Sequence, residues 1–137
     1  MARLIHRKRT LPEAGRWLCT LTKVEEEANK FYDPNIDKPD KSLSLGWIFT
    51  YDQKSEMEIR IWTSQIMDIF KNGKSKALML VESLLDRQLT DKEMDEFEAT
   101  NDLVGRKCYL RVKHVTRPDG SIFARSDEFE SVSGKQF

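Results

Sequence analysis

The chain has 137 residues, 39% of them hydrophobic and 34% charged, which suits a single domain able to bury a core without disulfide or metal staples. Lysine plus arginine and aspartate plus glutamate each number 23, so the formal net charge of +0 points to no partner by itself. No apolar run approaches the roughly 20 residues that cross a bilayer, and the opening "MARLIHRKRTLPEAG" holds no apolar core of signal-peptide length, so a cytoplasmic protein without a membrane partner is expected.

Residues 1–15 read as a basic arm, with Arg3, Arg7, Lys8 and Arg9 in "RLIHRKR". Such an arm either embraces phosphates or is a solvated tail, and composition favours the tail. The first strand is expected over 16–24, "RWLCTLTKV", rich in β-branched and aromatic residues. A long loop is expected over 25–42, whose Phe31 and Tyr32 either anchor it to the body or await a ligand. Over 43–52, Leu45, Trp47, Phe49 and Tyr51 share one parity while Gly46, Ile48 and Thr50 take the other, a strand covered on both sides. Its hairpin partner lies over 57–64, where Ile59 and Ile61 alternate with Glu58, Arg60 and Trp62.

A linker over 65–74 leads to a helix over 75–89, with Leu78, Val81, Leu85 and Leu89 at helical spacing and Ser75 or Asn72 as cap. Thr90, placed before Glu93, starts a second short helix with a capping box. Two strands close the chain, over 106–116 and 121–132, joined by "RPDG", in which proline presets one dihedral and glycine accepts a positive one. Residues 16–132 are thus one domain and 133–137 a tail. Cys19 and Cys108, far apart and each in a strand-like run, read as buried reduced thiols, and His6 and His114 complete no metal-ligand spacing with them.

Charge is segregated along this order. Between residues 85 and 103, Asp86, Asp91, Glu93, Asp95, Glu96, Glu98 and Asp102 face only Arg87 and Lys92. Between 105 and 125, Arg106, Lys107, Arg111, Lys113, Arg117 and Arg125 face only Asp119. Such separation creates a local field that the net figure conceals.

Three strands, a helical segment and two more strands is the order of a mainly β domain, α+β by content, of the oligonucleotide/oligosaccharide-binding (OB) type. That fold is a five-stranded Greek-key barrel with a helix between its third and fourth strands, and a generic α+β meander is its competitor. OB barrels bind ligands across strands 2 and 3 and the flanking loops. On that geometry the candidate binding residues are Arg60, Trp62, Tyr109, Arg111, Lys113, Arg117 and Arg125. Basic side chains follow a phosphate backbone and aromatic rings stack on unpaired bases, so the mixture suits single-stranded nucleic acid with little sequence preference. Taken alone, the basic residues also fit the solvated face of an antiparallel strand. Trp62 tips the balance only if it is exposed rather than covered by the helix or a loop, and the sequence leaves both open. For catalysis there is no phosphate loop around "NGKS", no nucleophile–histidine motif and no metal pattern, so neither an enzyme nor a cofactor is expected.

The segments "SKALMLVESLLDR" and "DLVGRKCYLRVKHVTRPDGSIFARSDEF", and more loosely "LGWIFTYD" and "EIRIWTS", together resemble small OB-like proteins of phages, prophages and bacteria related to single-stranded DNA-binding proteins. The shared positions are mostly structural: Gly105 opens a strand, Cys108 and Val112 face inward, and Gly120 makes a turn. The resemblance implies an OB-like barrel and binding of single-stranded DNA, or RNA, in phage or mobile-element replication or recombination. It transfers no binding residue. The alternative is an OB-like interaction or adaptor module without nucleic acid, acting through self-association or through a protein partner at the acidic segment 86–102, and the neutral overall charge favours it.

Overall fold

A computed structural model describes residues 11–30, 32–36, 43–97 and 102–137. The basic run from Arg3 to Arg9, Phe31 and Glu98 lie outside the described residues. The protein is mainly β, with a five-stranded antiparallel sheet in the order β3-β2-β1-β6-β7. Its strands are β1 (Gly15–Ala28), β2 (Leu43–Tyr51), β3 (Lys54–Ser64), β6 (Lys107–Thr116) and β7 (Ile122–Glu130). Between β3 and β6 the described residues include a small hairpin, β4 (Ile69–Phe70) with β5 (Gly73–Lys74), and two short helices, α1 (Lys76–Leu85) and α2 (Asp91–Glu96). The expected strands and intervening helices are therefore present. The ladder is open: among the described residues no hydrogen-bonded pairing joins β3 to β7, although the two strands approach each other and α1 touches both.

Alternation decides the inner face. Trp47, Phe49 and Tyr51 of β2 are fully buried, with Ile59 and Ile61 of β3, Cys108, Leu110 and Val112 of β6, and Cys19 and Leu21 of β1. Leu78, Leu80, Val81 and Leu84 bring α1 onto this layer. Each such large apolar side chain contributes roughly 1.5–3 kcal/mol by leaving water. Trp47 also satisfies its indole N–H on Thr63 Oγ1 at 2.8 Å, so its burial leaves no donor stranded. Trp17 is half-buried, its ring 5.3 Å from that of Tyr51, and donates to the Ala14 carbonyl.

Several boundaries moved for identifiable reasons. β1 runs through Glu25, Glu26 and Glu27, which the sequence placed in the loop, because the start of β2 needs ladder partners and pairs Glu25 with Gly46 and Ala28 with Leu43. The linker contains the β4–β5 hairpin, turned at Lys71 and Asn72 and followed by Gly73 with φ +127°. α1 begins as expected on Ser75, whose side chain accepts from the Leu78 N–H. It stops four residues early, where Asp86 takes a left-handed conformation (φ 57°) and accepts a hydrogen bond from Ser133 at 2.6 Å. Thr90 and Glu93 form the expected capping box. The 117–120 turn closes with the Gly120 N–H on the Arg117 carbonyl at 2.9 Å.

Candidate functional site

The outward side chains of β3 alternate with its core residues: Met57, Ile59, Ile61 and Thr63 are buried, while Arg60 and Trp62 face out. Trp62 is 43% exposed, which answers the question its sequence left open. Directly across the ladder stands Gly46, and a Cβ there would come within 3.2 Å of the indole ring. Glycine at that place lets the ring edge settle over β2 instead of being pushed away. The Arg60 guanidinium lies 5.3 Å from the Trp62 ring centroid. Glu25 orients it from β1, 3.1 Å away, and also pairs with Lys23 at 2.9 Å. The hydrogen bond from Lys23, with the charges of Lys23 and Arg60, holds the Glu25 carboxyl below its ordinary range.

Three shallow hollows meet at Arg60. The first, about 390 Å³, lies between the end of β1, Ser44 and Trp62. The second, about 310 Å³, lies in the seam between β3 and β7, where Arg60 and Trp62 face Phe123 and Arg125, with Lys76 from α1 at its side. The third, about 460 Å³, continues past Glu58 and Arg60 to Phe123 and Arg117. Arg117 lies 4.4 Å over the Phe123 ring, so the far end repeats the ring-and-guanidinium pairing seen at Trp62. The hollows form one track from the end of β1, across the seam, to the β6–β7 turn.

The structure therefore brings Arg60, Trp62, Arg117 and Arg125 to one track; Lys113, opposite Arg125 across the β6–β7 ladder, shares Asp127 with it but lines a separate hollow with Arg111, and Tyr109 stands further along β6. Tyr109 carries the Arg16 guanidinium on its ring, 3.7 Å from the centroid. Arg16 is itself bound to Glu130 at 2.8 Å, and Arg111 faces Glu130 at 3.3 Å and Glu128 at 3.8 Å. The hydrogen bond from Arg16, more than that from Arg111, holds Glu130 below the ordinary carboxylate range. Lys113 stands 3.5 Å from Asp127. Arg111 thus meets Glu128 and Glu130 of β7 and is neutralised there, while Lys113 shares Asp127 with Arg125.

Phe123 and Lys76 were missed by reading the sequence. Phe123 is hidden by a bulge: Arg111 pairs with Glu128 but Val112 with Ser126, so Asp127 is an extra residue and the parity of β7 reverses there. Phe123 and Arg125 consequently share the outer face with Glu128 and Glu130. An "SDE" run between two alternating segments was the available signal. Lys76 could not be read as a neighbour of β7 without the tertiary fold. The segment before β1 is tied to the body by Tyr51 Oη donating to the Glu13 carbonyl at 2.8 Å, by the Lys54–Glu13 ion pair and by His114 on the Pro12 carbonyl at 2.8 Å. Among the described residues no cluster of histidine, cysteine and carboxylate is placed to hold a metal ion, and no helix is long and apolar enough to cross a membrane. No family model and no curated protein matches the sequence.

Proposed function

We propose that the domain binds single-stranded nucleic acid, DNA foremost, along the track across β3 and the β3/β7 seam, as an OB-like barrel parted at that seam. The observation that carries the reading is the pair of ring-and-guanidinium units, exposed Trp62 with Arg60 and half-buried Phe123 with Arg117, at hollows that share Arg60. Rings stack on bases of any sequence and guanidinium groups meet phosphates, so the surface discriminates strandedness more than sequence. The strand order, with β3 near β7 and α1 against both, supports the barrel. OB folds bind their ligands on such a strand face, between the flanking loops.

The test is fluorescence anisotropy of a labelled single-stranded oligonucleotide against its duplex at several salt concentrations. Preference for the single strand, weakening with salt, is expected. Trp62→Ala removes about 1–3 kcal/mol of binding free energy, while Arg111→Ala stays within about twofold because its charge is already met by Glu128 and Glu130. Absence of binding at low salt, or equal loss in both variants, defeats the proposal. A protein-binding reading is favoured by one observation, the β4–β5 hairpin with Ile69 57% and Phe70 52% exposed. It requires that Phe70→Ser abolish a self-association or protein complex while oligonucleotides are ignored.

A further inference from the structure

The seam between β3 and β7 carries more positive charge than its carboxylates balance. Asp127 accepts from Arg125 Nε at 2.7 Å and Lys76 Nζ at 2.9 Å, and Lys113 Nζ lies 3.5 Å away. Partial burial pushes its carboxyl up, but hydrogen bonds from Lys76 and Arg125 and their charges outweigh that and bring it down to about 2. Lys76 and Arg125 share that one carboxylate within the seam and leave one positive charge in excess there, while Lys113 draws on the same carboxylate from outside. The neighbouring carboxylates do not make up the difference. Glu128 and Glu130 are met by Arg16 and Arg111, and Glu25 serves both Lys23 and Arg60. Glu58 lies in the adjoining hollow, where Arg117 shares the wall.

Lys76, Arg125 and Arg60, from α1, β7 and β3, line the 310 Å³ hollow in the seam, and no carboxylate lines it. Trp62 and Phe123 belong to the same wall. Cations brought together from three elements across a gap that no ladder closes repel one another, and a single anion between them turns that repulsion into charge-assisted hydrogen bonds. We infer that this notch seats one phosphate group, a backbone phosphodiester of the bound strand, with the bases on either side directed to Trp62 and Phe123. The inference rests on the nucleic-acid reading above and adds to it the place where the backbone crosses the seam.

The experiment measures the slope of log K against log salt for a fluorescent decathymidylate, using the full chain, its Lys76→Gln, Arg125→Gln and Lys113→Gln variants and the double variant Lys76→Gln with Arg125→Gln, each checked for a native urea midpoint. One phosphate contact on a single strand accounts for a slope of about 0.7. The Lys76 and Arg125 variants together are expected to lose about that much, while Lys113→Gln, which removes a cation from the same carboxylate but outside the hollow, keeps the wild-type slope. Equal loss in all variants, or none in the double variant while the wild type binds, overturns the notch and leaves the nucleic-acid reading standing. If the wild type binds no oligonucleotide, that reading falls. Inorganic phosphate is then titrated against the Arg125 Nε–H resonance: a saturable shift lost in Lys76→Gln keeps the seat as a site for free phosphate, and no shift removes it as well.

Discussion

Glu82 is the charged side chain whose removal has the best-defined cost. It sits 1% exposed in the middle of α1. Its Oε1 accepts from Lys74 Nζ at 2.6 Å and its Oε2 from the buried Leu89 N–H at 2.8 Å. One carboxylate thereby ties β5, α1 and the segment leading to α2 together, and it steadies the helix that presents Lys76. Glu82→Ala leaves the Leu89 N–H without an acceptor, about 1–3 kcal/mol, and removes the partner of a largely buried ammonium. Breaking a fully buried pair costs about 3–5 kcal/mol. The Lys74 side chain is 19% exposed and can turn toward water, so the upper part of that range is not reached. The net expectation is about 2–4 kcal/mol for Glu82→Ala and about half of it for Glu82→Gln, whose amide oxygen still accepts from Leu89. Urea unfolding followed by tryptophan fluorescence gives both values. Hydrogen exchange at the Leu89 amide separates the causes, since exchange should quicken in the alanine variant and stay slow in the glutamine one. A loss below about 0.5 kcal/mol in Glu82→Ala, the range of ordinary surface substitutions, or equal exchange in both variants, would refute the reasoning.

Other consequences follow from the same contacts. Gly46→Val should displace the Trp62 ring, since even the first added carbon meets it at 3.2 Å; the indole emission shifts and oligonucleotide affinity falls, with little change in urea midpoint. An unchanged emission maximum would show that the ring does not rest on Gly46. Asp127 has a folded pKa depressed from 3.8 to about 2, so the stability it contributes is present above 3.8 and lost as pH falls through about 2. Asp127→Asn should therefore flatten the urea midpoint between about pH 4 and pH 2, and a profile parallel to wild type would count against the ion-pair arrangement. Burial pushes the Cys19 thiol up to about 12 and raises Cys108 as well. Both should resist a thiol reagent at neutral pH until the protein unfolds, with labelling that follows urea unfolding; rapid labelling of the native protein would contradict their placement.

Much of the scaffold was legible because its signals are local. A strand turns successive side chains to opposite faces, so the alternation in "KCYLRV" already implied the burial of Cys108, Leu110 and Val112, while "LGWIFTYD" read as covered on both sides and only packing settled that Trp47, Phe49 and Tyr51 face the core. Ser75, the Thr90–Glu93 box and the 117–120 turn make hydrogen bonds within a few residues, and they appear as expected. The surface was only half legible. Arg60 and Arg111 look alike in sequence, yet one stands beside an exposed ring and the other against two carboxylates, because β7 lies next to β6 and presents Glu128 and Glu130 to it. Phe123 reached the outer face through the bulge at Asp127, and Lys76 reached the seam because α1 packs against both β3 and β7. The sequence by itself determined the order of the main strands, the cap of α1, the capping box of α2 and the last turn, since those follow from side-chain period and short-range hydrogen bonds. Only the tertiary structure decided which cations are neutralised and which line a groove, because that depends on partners brought together by strand register and helix placement from distant parts of the chain.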